Sequence, residues 1–252
     1  GRGTSDMVFA ARQLIEKCRE HRQPLYWCFV DFHKAYDCVD RNVMWQTLAD
    51  LGVPTRMLHV IRQLHEGMLL RVQAGGRQSA RTFQTTAGVR QGCVLSPLLF
   101  NLCVDLAVRK ATTGQPGVKV LHGETHRKKL IDPTPTSENH TTINFLQYAD
   151  DIAAVASTEA AVYNVVNRLS CFASQVGLRV NTNKTVVMAA SYKNAVAASK
   201  ALEVDGVQLP VVDNFDYLGS ELCYGKGANG GRRPHTEGVA SLLCVPQLQK
   251  KK

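Results

Sequence analysis

Two adjacent aspartates set between apolar runs constrain this chain more than any other feature. "NFLQYADDIAAVAS" (144–157) places Asp150 and Asp151 between Phe145, Leu146 and Tyr148 on one side and Ile152, Ala153, Ala154, Val155 and Ala156 on the other. Short apolar runs around turn residues read as strands. The stretch therefore reads as strand, tight turn, strand, with both carboxylates at the tip. A second apolar run, "LYWCFVDF" (25–32), reads as a buried strand with Asp31 near its end. If these strands pair, three carboxylates converge at one edge of a sheet. Clustered carboxylates repel unless a proton or a cation neutralises them. Hard divalent cations such as Mg²⁺ accept such ligands and share the task with substrate phosphates. Two ions about 4 Å apart can activate a hydroxyl and stabilise a leaving oxygen in an in-line phosphoryl displacement. The plainer alternative is a turn that uses Asp for its turn propensity alone. The pair by itself does not decide between them.

The rest of the chain supplies elements to surround such a sheet. Residues 4–18 carry apolar positions at helical spacing, with Ser5 or Asp6 as cap. "DRNVMWQTLADLG" offers Asp40 as N-cap and Gly52 as stop, and a helix follows Pro54. "LLRVQAGGRQSARTFQTT" reads as a hairpin turning near Gly75-Gly76. "LSPLLFNLCVDLAVRK" reads as an apolar helix with Ser96 as N-cap and Pro97 at its first position. Residues 111–142 are polar and basic and read as an insertion or loop. A helix capped by Ser157 or Thr158 and stopped by Gly177 comes next. Then follow a strand, turn and strand over "LRVNTNKTVVMAA" and a hairpin around Asp205-Gly206.

Composition narrows the class. The net charge of +9 favours a polyanionic partner, because Lys and Arg gain by displacing counterions from phosphates. Eight cysteines without a CxxC pair argue against a zinc site and for reduced thiols. No apolar run reaches 18 residues, so no membrane span is expected.

Five blocks in order carry a resemblance. "FVDFHKAYDCVDRNVMW", "GVRQGCVLSPLLFNL", "YADD", "GLRVNTNKT" and "FDYLGS" resemble the successive blocks of the reverse transcriptase domain of non-long-terminal-repeat (LINE-type) retrotransposons. The resemblance covers residues 1–220, which it implies are partial fingers and palm. The implied fold is α/β (α+β), a right-hand polymerase palm with an antiparallel sheet backed by helices. Beyond "YLGS" the family continues into a helical thumb, and this chain departs from that pattern, so no thumb is expected and residues 221–252 are expected to be a basic tail of low order. The implied activity is RNA-directed DNA synthesis from a primer 3′-hydroxyl with two Mg²⁺ ions, Mn²⁺ being an alternative. The implied partners are an RNA template, a DNA primer and deoxynucleoside triphosphates, and the implied setting is a ribonucleoprotein in cytoplasm and nucleus.

The resemblance also distributes roles. Asp31, Asp150 and Asp151 are the implied metal-binding carboxylates. Lys184 is the implied proton donor to departing pyrophosphate. Phe32, Tyr36, Gln91 and Gly92 line the implied nucleotide pocket, with Tyr36 as the ring that excludes a 2′-hydroxyl. Tyr217, Leu218 and Gly219 form the implied primer grip, and Arg2 and Arg90 the implied nucleic-acid contacts. The basic block that grips the triphosphate is expected upstream of Gly1. The chain alone is therefore expected to be a poor polymerase. An inactive fragment that binds nucleic acid, a viral RNA-directed RNA polymerase and a group II intron-type enzyme are the competing readings. Tyr36 counts against the RNA polymerase.

Overall fold

The two apolar runs do form one sheet in the computed structural model, which describes residues 3–90, 92–121, 140–190 and 202–223. Strand β1 (Leu25–Val30) is its middle strand. On one side β1 pairs antiparallel with β7 (Asp151–Ala156), which continues from β6 (Phe145–Tyr148) through the aspartate turn. On the other side it pairs antiparallel with β8 (Val186–Ala190), and β11 (Val211–Val212) adds to β8 in parallel.

Both faces of this sheet are covered, so its central strands are apolar throughout rather than alternating. Cys28, Val30, Ile152 and Ala154 face a core built with α3 (Arg41–Asp50), α4 (Thr55–His65), α5 (Ser96–Thr112) and α6 (Glu159–Gln175). Trp27, Phe29, Ala153 and Val155 face a second core. That core is built with α1 (Thr4–Glu20), β4 (Val118–Leu121) and the hairpin of β12 (Asn214–Tyr217) and β13 (Ser220–Cys223). Two further hairpins, β2 (Leu69–Ala74) with β3 (Arg77–Gln84) and β9 (Glu203–Val204) with β10 (Val207–Gln208), turn at the predicted glycines.

The helix ends follow local chemistry, with two corrections. Asp40 accepts from the N–H groups of Asn42 (2.7 Å) and Val43 (3.2 Å), and Thr158 Oγ1 accepts from Ala161 N–H. In α1 the N-cap is Gly3 rather than Ser5 or Asp6. Asp6 still closes the end, because its Oδ2 accepts the Gly3 N–H at 2.8 Å from the third helical position. In α5 Leu95 is the N-cap and Ser96 is already helical. The Ser96 hydroxyl instead donates to the Arg90 carbonyl at 2.5 Å, which ties the preceding loop to the helix start.

The segment expected to be one polar loop is structured at both ends. α5 runs to Thr112, and β4 pairs with β5 (His140–Ile143) from Val118↔Ile143 to Leu121↔His140. Residues 122–139 lie outside the described residues. So does the expected tail beyond Cys223, while Ser220–Cys223 belongs to the β12–β13 hairpin.

Candidate active site

Strand register aligns the carboxylates. β1 and β7 pair from Tyr26↔Ala156 to Val30↔Ile152, so one further step sets Asp31 opposite Asp151. Tyr148 pairs with Asp151 across a two-residue turn of Ala149 and Asp150, and Ala149 takes a φ of 53° there. Like charges directly opposite on paired strands destabilise a sheet. The Asp151 carboxyl is accordingly held above the usual carboxylate range, first by burial and then by Asp150 and Asp31.

Two tyrosines mark the two sides of this cluster. The Tyr36 phenol is pushed up by burial and by the Asp150 charge, and the Tyr217 phenol by burial and by the Asp151 charge. Asp150 is thus the electrostatic neighbour of Tyr36, and Asp151 that of the β12–β13 hairpin.

On the first side, Tyr36 sits in α2 (Ala35–Cys38) and stacks on Phe100 of α5 with ring centroids 4.2 Å apart. It lines a cavity of about 470 Å³ together with Gly92, Cys93, Val94, Ser96 and Pro97. The wall is knitted by backbone: Val89 N–H donates to Tyr36 O (2.9 Å) and Gly88 N–H to Val39 O (2.8 Å). Gly88 is required there, since a Cβ would stand 2.6 Å from the Asp37 carbonyl oxygen. The buried Arg41 guanidinium fixes the same loop by donating to the carbonyls of Gly88 (2.8 Å), Thr85 (2.8 Å) and Ala87 (3.1 Å), and to that of His65 (3.1 Å). A buried cation satisfied this fully locks geometry more than it adds net stability. The Cys93 thiol is lowered, chiefly by a hydrogen bond from the Leu95 backbone.

On the second side, Phe215 stacks on Phe29 at 4.1 Å, and Tyr217 lies 5.7 Å from the same ring. Leu218 (φ 50°) and Gly219 (φ 77°) both occupy the left-handed region, as a two-residue hairpin turn of this hand demands.

A third segment closes on Asp31 itself. Asn181 N–H donates to Asp31 O at 2.8 Å, Asn181 Nδ2 to Asp31 Oδ2 at 3.0 Å, and Asp31 N–H to Thr185 Oγ1 at 3.2 Å.

The sheet edge therefore gathers Asp31, Asp150, Asp151, Tyr36 and Tyr217, with Gly92 in the wall of the cavity and Leu218 and Gly219 at a hairpin tip. Lys184 is exposed on the turn that grips Asp31, with its N–H bonded to Asn181 O at 3.0 Å. Arg90 is exposed and its carbonyl serves Ser96. Phe32 is 6 % exposed and packs within the helix-side core next to Asp31, as Tyr217 packs at 3 % within the second core. Gln91 and Arg2 lie outside the described residues. Sequence reasoning missed Arg41, Asn181, Thr185 and Cys93. All four lie inside the family-like blocks, which was the available signal, and Arg41 also heads an apolar helix face.

Among the described residues no three Asp, Glu, His or Cys side chains form a ready-made cation cage. The donor set nonetheless suits Mg²⁺, which takes one or two carboxylates and completes its shell with water and substrate phosphates.

An antiparallel sheet with carboxylates at one edge, flanked by a pocket and a hairpin, defines a nucleic-acid polymerase palm. Solved structures agree on the fold. Apo telomerase from Candida tropicalis aligns with a TM-score of 0.55 at 14 % identity, over 89 % of this chain and 39 % of that one. Telomerase from Candida albicans, in complex with a fragment of telomeric RNA, aligns with a TM-score of 0.54 at 14 % identity, over 82 % of this chain and 32 % of that one. A family profile described as reverse transcriptase (RNA-dependent DNA polymerase) matches residues 1–222, and the chain belongs to that family. Its relatives include the Pol polyprotein of the type-2 retrotransposable element R2DM of Drosophila melanogaster, 25 % identical over 86 % of this chain and 19 % of the relative. Another is the Pol polyprotein of an R2 retrotransposable element of Popillia japonica, 25 % identical over 92 % of this chain and 30 % of the relative. The chain thus spans under a third of the length of these relatives. Among the described residues no helix is long and apolar enough to cross a membrane.

Proposed function

We propose that this chain is the palm and part of the fingers of an RNA-directed DNA polymerase of a non-long-terminal-repeat retrotransposon. It would extend a DNA primer on an RNA template with deoxynucleoside triphosphates. The observation that carries the reading is the β1–β7 register, which ends at Val30↔Ile152 and so brings Asp31 beside Asp151, with Asp150 in the adjoining turn.

Asp31 and Asp150 hold divalent cations, with Asp151 beside them. Bound Mg²⁺ or Mn²⁺ supplies activation of the primer hydroxyl and stabilisation of the leaving pyrophosphate. Tyr36, stacked on Phe100, serves in this reading as the ring beneath the sugar that excludes a 2′-hydroxyl. The Tyr217–Gly219 hairpin holds the primer end beside Asp151. Lys184 gives a proton to the departing pyrophosphate.

Primer extension on a primed RNA template tests this, run with the chain alone and with a longer polypeptide carrying the flanking segments of the element. The longer polypeptide is expected to extend the primer, its Asp150→Ala variant to lose at least ~10³ of that rate, and the chain alone to extend poorly. Equal extension by the Asp150→Ala variant would overturn the reading.

A further inference from the structure

Asn181 stands out among the buried polar groups. It is 7 % exposed, and its Nδ2 meets Asp31 Oδ2 at 3.0 Å. The amide must point this way, since a carboxylate only accepts. That orientation leaves Asn181 Oδ1 buried and without a hydrogen-bond partner among the described residues. Buried acceptors are rarely left so unless another demand fixes the side chain. Here the demand is visible. The backbone of the same residue also grips Asp31, and its carbonyl accepts from both Lys184 N–H (3.0 Å) and Thr185 N–H (2.9 Å). Thr185 in turn receives the Asp31 N–H. One five-residue turn therefore fixes both the main chain and the carboxylate of Asp31, and within that turn Asn181 is the residue that meets the carboxylate.

We propose that Asn181 is the positioning residue for Asp31: its amide immobilises Oδ2 and so sets the orientation in which the carboxylate meets a divalent cation. The proposal rests on the polymerase reading of Asp31. Without the amide, the carboxylate gains rotational freedom and the cation must order it on binding. Loss of an outer hydrogen-bond partner of a metal ligand typically weakens metal affinity ~10- to 100-fold.

The test is a Mn²⁺ titration of the full 252-residue chain, read by the electron paramagnetic resonance of the free ion and independent of polymerisation. Four proteins are compared: the unchanged chain, Asn181→Ala, Asn181→Ser and Asp31→Asn, each with its melting temperature. Asp31→Asn is expected to abolish the site. Asn181→Ala is expected to weaken it about tenfold, and Asn181→Ser, whose shorter hydroxyl still donates, to fall between. If Asn181→Ala does not fold, Asn181→Ser carries the comparison. Unchanged affinity in a folded Asn181 variant, with affinity lost in Asp31→Asn, overturns the positioning role alone. Affinity unchanged in Asp31→Asn as well overturns the metal-binding reading of the palm and the positioning role with it.

Discussion

The cysteines give the pocket beside the carboxylates its clearest residue-level test. Burial raises the thiols of Cys28 and Cys103 to about 12 and that of Cys18 to about 11. Cys93, in the cavity wall with Tyr36, is lowered by the Leu95 backbone hydrogen bond and next by Ser96 and Arg90, against the opposing effect of burial. The thiolate is the nucleophile, so a lowered value raises reactivity at a given pH and a raised one suppresses it. Near neutral pH, Cys28 and Cys103 hold far less thiolate than an ordinary cysteine. Iodoacetamide labelling of the native chain, followed by mass spectrometry, should therefore modify Cys93 and the exposed Cys171 while leaving Cys18, Cys28 and Cys103 intact. A deoxynucleoside triphosphate with Mg²⁺ should slow labelling at Cys93 and not at Cys171. Equal protection of both would place the nucleotide elsewhere.

At the scale of elements, three blocks far apart in sequence meet around residues 35–40, and two glycines let them meet. A Cβ on Gly88 would stand 2.6 Å from Asp37 O, and one on Gly177 would stand 2.5 Å from Cys38 O. Both also have positive φ, 77° and 84°. Gly52 and Gly206 share the positive φ, but open space surrounds their Cβ positions. Gly88→Ala and Gly177→Ala should each cost about 2–4 kcal/mol in urea unfolding, through backbone clash plus strain, and Gly52→Ala or Gly206→Ala about 1 kcal/mol from strain alone. The aspartate hairpin, β1, the Asp40 and Thr158 caps and the glycine turns were legible because each is decided by neighbours in sequence. The β4–β5 pairing was not legible, because each strand is only four residues long and the two are separated by an 18-residue interval from 122 to 139. The parallel addition of two-residue β11 was equally hidden, being a matter of tertiary reach. For the site, the convergence of Asp31 with Asp151 followed conditionally from strand pairing. Asn181 lay inside the "GLRVNTNKT" block, but its contact with Asp31 was hidden because the partner lies 150 residues away.

For the whole molecule, the carboxylate edge and the stability of the sheet are in opposition. The strand pair that joins the first block of the chain to the aspartate turn ends in two facing carboxylates, and nothing in packing favours them there. Asp151 keeps solvent access even though partial burial is the first cause of its raised value, so water screens the repulsion and the cost is a few tenths of a kcal/mol rather than several. Asp151→Asn should therefore leave the metal-free chain slightly more stable, by roughly 0.3–0.8 kcal/mol. The sign with pH follows from linkage. The folded chain holds the Asp151 proton more tightly than the unfolded chain does, so ionising it costs stability above the raised folded value. As pH falls through that value Asp151 becomes neutral, and the advantage of the asparagine variant should shrink to nothing. Mg²⁺ acts in the opposite sense: binding only the folded edge, it should raise the melting temperature of the unchanged chain more than that of Asp151→Asn. Melting curves of both proteins, from neutral pH into the acid range and with and without Mg²⁺, check all three trends. An advantage for the variant that persists in acid would mean that the gain comes from packing and not from relieved charge.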